Sequence, residues 1–220
     1  MKMNATTWTI IGIVAIAGIL IFSSRMSGSA SAPKAADGAP LTLAAADHQR
    51  GAADGKIVLI EYLDLECEAC GAFFPIVKQM EAEFGDRVTF VTRYFPLQGH
   101  KNGLTAALAV EAASKQGKFW EMHDLLFARQ SEWGGKQVPT PQAFEAYATE
   151  LGLDIEQFKK DAASSEVMAR VKGDYNGGID AGVRSTPSFF LNGYLIENPR
   201  SAEEFRAVLQ AEIDKSAPAS

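Results

Sequence analysis

The stretch Lys56-Ile-Val-Leu-Ile-Glu-Tyr-Leu63, followed by Asp64-Leu-Glu-Cys67-Glu-Ala-Cys70 and then Gly71-Ala-Phe-Phe-Pro75-Ile-Val-Lys-Gln-Met80-Glu-Ala-Glu-Phe84-Gly85, decides how the chain is read. Its first eight residues are apolar and β-branched and are bounded by Gly55 and Asp64, which predicts a buried strand. Phe73, Phe74, Ile76, Val77, Met80 and Phe84 then recur at helical spacing. Gly85 ends the run, and Pro75 predicts a kink near the carbonyl of Gly71. Residues 87–95 read as a second strand. Strand, helix, strand over this length is a βαβ unit, which demands parallel strands and a right-handed crossover.

Downstream, three groups of apolar residues mark successive amphipathic helices: Leu104, Leu108 and Val110; Phe119, Trp120, Met122, Leu125 and Leu126; Phe144, Tyr147 and Leu151. Thr140-Pro141 offers a cap with proline in the first turn, and Asp154 with Gln157 resembles a capping box. The helices are expected to run to about Gly182. Residues 188–191 and 194–197 flank Asn192-Gly193, a strong hairpin signal, so an antiparallel pair is predicted. Ser201 and Glu204 open a last helix that carries Phe205, Val208, Leu209 and Ile213 on one face. The order is βαβ, a helical insertion at about 102–182, then ββα, an α/β fold occupying residues 51–216.

Upstream, residues 3–24 are uncharged between Lys2 and Arg25, and residues 8–22 are apolar, Gly or Thr. This reads as a membrane segment over residues 1–25; its length fits an anchor or a cleaved signal, and the candidate processing site Gly28-Ser29-Ala30 lies some way beyond Phe22, which favours an uncleaved anchor. Lys2 favours a short cytoplasmic tail, with the rest of the chain on the extracytoplasmic side and secreted if the segment is cleaved. Residues 26–50 are Ala/Ser/Gly-rich with Pro33 and Pro40. They read as a flexible linker with room for one short strand at 41–43. With 220 residues, 47% hydrophobic and 22% charged, the chain supports one sizeable core. A net charge of -6 with no basic stripe excludes a nucleic-acid binder.

Cys67 and Cys70 are the chain's two cysteines, so a multi-bridge scaffold is excluded. The spacing places the first sulfur at the start of a helix, where free backbone N–H groups and the helix dipole favour a thiolate by about 0.3–1 kcal/mol. The thiolate is the form that attacks a disulfide, so Cys67 is the expected nucleophile. Cys70, one turn later, is the expected resolving thiol. A zinc site would need two further ligands, and His48, His100 and His123 do not form a pair, so no metal and no cofactor are expected. A structural disulfide closing so short a loop would stabilise little. His100, His123, Trp120 and Trp133 are assigned to packing or surface.

Four further motifs accompany the cysteines in order: Glu61 before them, Arg93-Tyr94-Phe95-Pro96-Leu97 closing the second strand, Gly117-Lys118-Phe119-Trp120 at a helix start, and Ser185-Thr186-Pro187 before a strand. With these, the chain from about Gly55 to its last helix resembles the DsbA family of thioredoxin-like thiol-disulfide oxidoreductases. The resemblance implies a cis proline at Pro187, preceded by Thr186, packed against the cysteines and presenting backbone groups to an extended substrate. It implies a buried Glu61 acting as proton relay. It also implies disulfide formation in extracytoplasmic proteins with cysteine pairs, with a membrane quinone-linked oxidase as reoxidising partner. A reductase or isomerase, and a tethered chaperone or binding module without redox turnover, are the competing readings. Strongly oxidising members resemble CPHC, whereas Glu68-Ala69 stand here. Asp64, Glu66 and Glu68 are expected to oppose the thiolate, which predicts a milder oxidant.

Overall fold

The computed structural model describes residues 41–216. The predicted membrane segment and most of the predicted linker lie outside them. Among the described residues no helix is long and apolar enough to cross a membrane.

A five-stranded mixed sheet runs in the order β1-β3-β2-β4-β5, with β1 at His48–Gly51, β2 at Val58–Leu63, β3 at Thr89–Tyr94, β4 at Ser188–Leu191 and β5 at Tyr194–Leu195. β2 and β3 are the predicted parallel pair, in register from Val58↔Thr89 to Leu63↔Tyr94, and they are joined by helix α1, Glu68–Phe84. The hairpin forms at Asn192-Gly193, where both residues take positive φ (49° and 87°), as a two-residue type I′ connection requires.

The described residues form eight helices. After α1 come α2 (Gly103–Ser114), α3 (Phe119–Ala128), α4 (Gln130–Trp133), α5 (Pro141–Glu150), α6 (Ile155–Ala162) and α7 (Ser165–Asp180), which form the insertion; α8 (Ala202–Ser216) closes the domain. Asp154 caps α6 by accepting from the Gln157 amide at 3.0 Å, and Ser201 accepts from the Glu204 amide at 3.2 Å. Thr140 precedes Pro141 without a side-chain cap bond.

Two expectations are corrected. The predicted linker ends early: His48–Gly51 is an edge strand antiparallel to β3, and residues 41–43 are not a strand, although the Leu41 amide donates to the Gly193 carbonyl at 3.1 Å. β1 alternates partly buried and exposed residues and carries His48, Gln49 and Arg50, so it lacks the apolar signature of an interior strand. The buried face of α2 is built from Ala106, Ala107, Ala109, Ala112 and Ala113 around Val110, while Leu104 is exposed. Small side chains let α2 sit at the centre of the insertion, against α3, α5, α6 and α7.

The sheet is covered on both faces, as its parallel centre demands. Leu59 packs with Val77, Met80 and Phe84 of α1 and Phe205 and Leu209 of α8. Ile60 and Tyr62, pointing the other way, pack with Val91, Phe95, Val183 and Phe190. At the end of β2, Leu63 and Leu65 join a third cluster with Tyr94, Met122, Leu126, Trp133 and Phe144. Cys67 and Cys70 belong to this cluster, so the site lies where sheet, α1 and insertion meet.

Candidate active site

β2 ends at Leu63, and the loop Asp64–Glu66 turns the chain into α1. Cys67 is the N-cap of α1, with extended backbone (φ -68°, ψ 121°). Its own amide donates to the Asp64 carbonyl at 3.0 Å, and its carbonyl accepts from Gly71 at 3.0 Å, the first bond of the helix. Cys67 is 8% exposed and Cys70 is 1% exposed, both as free thiols. Both are buried, and Cys67 is the more accessible of the two.

The surroundings split their acidities. The Cys67 thiol is lowered from 9.0 to about 5, first because the Cys70 thiol donates to it, against the cost of burial, with the Thr186 side chain and the Cys70 and Ala69 amides adding to the effect. Burial, and the proton Cys70 shares with Cys67, push the Cys70 thiol well above its ordinary value. The helix dipole alone, worth a fraction of a unit, underestimates this separation, because direct hydrogen bonds at the sulfur dominate.

The peptide Thr186–Pro187 is cis and precedes β4. The Cys67 thiol donates to the Thr186 carbonyl across 3.5 Å. A thiolate has no proton to donate, so ionisation shifts the burden to the two helix amides and to the Thr186 hydroxyl, which is buried and otherwise lacks a partner. Glu61 lies one residue pair earlier on β2, opposite Phe189 of β4 and Thr92 of β3. Burial raises its carboxyl from 4.5 to about 8, helped by the charge of Glu81 and opposed by Arg50; Cys67 also raises it. Thus Cys67, Cys70, Thr186 and Pro187 meet at one point, and Glu61 stands behind them within electrostatic reach of both sulfurs.

The acidic residues around the motif are arranged differently from the sequence expectation. Asp64 and Glu66 are not exposed charges facing the thiol; they are buried and turned onto backbone amides. Asp64 accepts from the Glu66 amide at 2.8 Å, from the Leu97 amide at 2.7 Å, and pairs with His100 Nδ1 at 2.6 Å. Glu66 accepts from the Asn102 amide at 2.6 Å and the Gly135 amide at 3.1 Å. Asp64 and Glu66 thus become the fasteners of the loop, while Glu68 stays exposed as expected.

Gln130, at the start of α4, escaped sequence reading. Its Nε2 donates to the Leu65 carbonyl at 2.8 Å and to the Cys67 carbonyl at 2.9 Å, so the insertion grips the loop directly. No periodicity marks such a residue. The one local signal is Gly71: a Cβ there would overlap the Gln130 amide. The expected result is a change of sign in a double-mutant cycle. Gly71→Ala destabilises the wild-type background by about 1 kcal/mol, since losing two bonds worth roughly 0.5–1.5 kcal/mol each outweighs a helix gain of about 0.5–1 kcal/mol. In a Gln130→Ala background the same change stabilises by about 0.5–1 kcal/mol. Urea denaturation of the four proteins measures both.

The residues set aside as packing or surface divide. Trp133 is fully buried and donates to the Leu126 carbonyl at 3.0 Å, and His123 is buried among Phe74, Phe119, Trp120 and Phe127. His48 stacks on Phe119 and bonds Glu111 at 2.7 Å, far in sequence from the cysteines. His100 alone of the three histidines contacts the cysteine loop.

A thioredoxin family model matches residues 44–211. Curated relatives include the Na(+)/H(+) antiporter NhaA of Herminiimonas arsenicoxydans, 37% identical over 165 residues, and NhaA 1 of Mycobacterium sp. strain KMS, 39% identical over 170 residues. The match takes in 75% of this chain in each case, yet the chain spans about a quarter of the length of these relatives. Among solved structures, oxidised BdbD of Bacillus subtilis superposes with TM-score 0.67 at 24% identity, over 76% of this chain and 92% of that one. Wolbachia pipientis α-DsbA1 gives 0.72 at 20% identity, over 80% and 94%. A thioredoxin-like oxidoreductase of Silicibacter pomeroyi gives 0.64 at 25% identity, over 79% and 94%.

Proposed function

Since this chain belongs to the thioredoxin family, we propose that it is a thiol-disulfide oxidoreductase of the DsbA-like type that runs in the oxidising direction, donating the Cys67–Cys70 disulfide to protein substrates that carry cysteine pairs. The observation that supports this direction is the separation of the two thiols, about 5 for Cys67 and well above 9.0 for Cys70.

In the oxidised protein a substrate thiolate attacks Cys67 Sγ, the more exposed sulfur, forming a mixed disulfide and releasing Cys70 as thiolate. Cys70 is buried beside Glu61, whose carboxyl holds a proton up to about pH 8, so Glu61 supplies the proton that Cys70 takes up. A second substrate thiolate then attacks the substrate sulfur of the mixed disulfide. Cys67 leaves, and the substrate keeps its new disulfide. Two electrons have passed to the pair. A low-pKa thiol leaves faster and stabilises the dithiol product, so the groups that lower the Cys67 value favour this direction. The cis Thr186–Pro187 segment, bordering Cys67, offers backbone groups to the incoming chain. Reoxidation then falls to a quinone-linked membrane oxidase. The uncharged segment between Lys2 and Arg25 supports a tethered enzyme facing the extracytoplasmic side.

Equilibration of the full chain with glutathione buffers, read as the fraction of Cys67–Cys70 disulfide, tests the direction. The expected potential lies well above the thioredoxin value of about -270 mV and short of the most oxidising value of about -120 mV. A potential at or below about -270 mV would assign the protein to reduction. Full activity in a Cys67→Ser variant would instead point to a chaperone or binding role.

A further inference from the structure

Asp64 is tied to the cysteine turn through its backbone. Its carbonyl accepts from the Cys67 amide at 3.0 Å, and its amide acts to lower the Cys70 thiol against the effect of burial. Its carboxylate is fully enclosed, with Oδ1 on the Glu66 amide and Oδ2 on both the Leu97 amide and His100 Nδ1. A Cβ on Gly103 would press on this carboxylate, so the start of α2 closes the remaining side. Among the described residues His100 is the one side chain that bonds the Asp64 carboxylate, and it is 30% exposed.

We propose that His100 is a positioning residue for the thiolate of Cys67: the imidazole and the Asp64 carboxylate hold one proton between them, and that proton both steadies the loop carrying the cysteines and offsets negative charge beside the sulfur. This rests on the redox reading above and supplies, from the loop after β3, the imidazole that Glu68-Ala69 lacks between the cysteines. The charged groups that face His100 are Asp64, Glu66 and Cys67, and each raises its pKa against the effect of partial burial; Lys101 is its chain neighbour. With the proton in place the pair is neutral overall. When the proton leaves, a bare buried carboxylate remains next to the loop, and the thiolate is disfavoured. Coupling between two sites is reciprocal, so ionisation of Cys67 must in turn hold the proton on His100 more tightly.

Two measurements on the full chain test this. The first follows His100 by NMR, assigned by its loss in His100→Asn, in the dithiol and the disulfide forms. The expected His100 pKa is higher in the dithiol form by a few tenths of a unit or more, about a twofold or larger change in proton affinity. Equal values in the two forms overturn the proposal, and this arm needs no variant beyond the one used for assignment. The second measures the pH profile of Cys67 alkylation. Asn retains a donor for Asp64 but does not titrate, so His100→Asn is expected to move the Cys67 midpoint upward, and an unmoved midpoint overturns the proposal. A wild-type profile with no thiolate below about pH 7 would overturn the redox reading itself and the proposal with it. A low midpoint shared by wild type and His100→Asn would overturn the proposal alone.

Discussion

Replacing Cys67 with serine reduces disulfide transfer to the uncatalysed background, while Cys70→Ala, which cannot form the Cys67–Cys70 disulfide, also loses transfer but traps an oxidised substrate as a mixed disulfide on the Cys67 thiolate. The two substitutions differ because the sulfurs differ in access and acidity. Cys67 is the more accessible sulfur, with its thiol lowered to about 5, so removing it removes both the point of attack and the leaving group. Cys70 lies 1% exposed behind it and can act only on Cys67. Without it, a mixed disulfide between Cys67 and a partner has no internal escape, and it accumulates. Non-reducing electrophoresis after incubation with a reduced and then an oxidised protein substrate reads both outcomes. More trapping by Cys67→Ala than by Cys70→Ala would reverse the assignment of roles.

Glu61→Gln changes how stability responds to pH, and the sign follows from where its proton resides. The Glu61 carboxyl is raised from 4.5 to about 8 in the fold, chiefly by burial. Between those values the folded protein keeps a proton that the unfolded chain releases, so stability falls as pH rises, by roughly 1.4 kcal/mol per unit. In the dithiol form Cys67 acts oppositely: its value is lowered from 9.0 to about 5, so its contribution grows as pH rises from about 5 and is complete above 9. The two contributions largely offset in the dithiol. In the disulfide form Cys67 does not titrate, and the Glu61 contribution stands uncovered. Urea denaturation of the disulfide form is therefore expected to show several kcal/mol lost between pH 5 and pH 8 in wild type and little lost in Glu61→Gln. The variant also slows formation of the mixed disulfide from the oxidised protein, because the departing Cys70 thiolate loses its proton donor. Parallel pH slopes in wild type and variant would show that Glu61 does not hold the proton.

The elements that strong local chemistry specifies were legible in the sequence. The apolar run of β2, the Asn192-Gly193 turn and the Asp154 and Ser201 caps each act within a few residues, and they stand where their patterns predict. The place of Cys67 was legible for the same reason: it stands between a strand and an amphipathic helix, at the N-terminus of that helix. What could not be read depends on contacts between distant segments. β1 earns its place through pairing with β3, some forty residues away, so its polar sequence looked like linker. The alanine face of α2 is uninformative until its neighbours are known. Gln130 and His100 matter through the loop they touch, 63 and 36 residues from their partners, and nothing adjacent in sequence distinguishes them from surface residues. Asp64 and Glu66 were misread because charge in sequence suggests solvent, whereas here backbone amides from two other segments supply what water otherwise would.

The account depends on an anionic sulfur at Cys67 near neutral pH, held by the Cys70 thiol, the first amides of α1 and the Thr186 side chain. Thiolate absorbance of the native dithiol protein, titrated from pH 3 to pH 10 with Cys70→Ala as a control for the second sulfur, measures it directly. The predicted curve has a midpoint near 5 for the wild-type protein and a higher one when the Cys70 thiol is absent. A single midpoint at the ordinary cysteine value of about 8.5 in both proteins would contradict it.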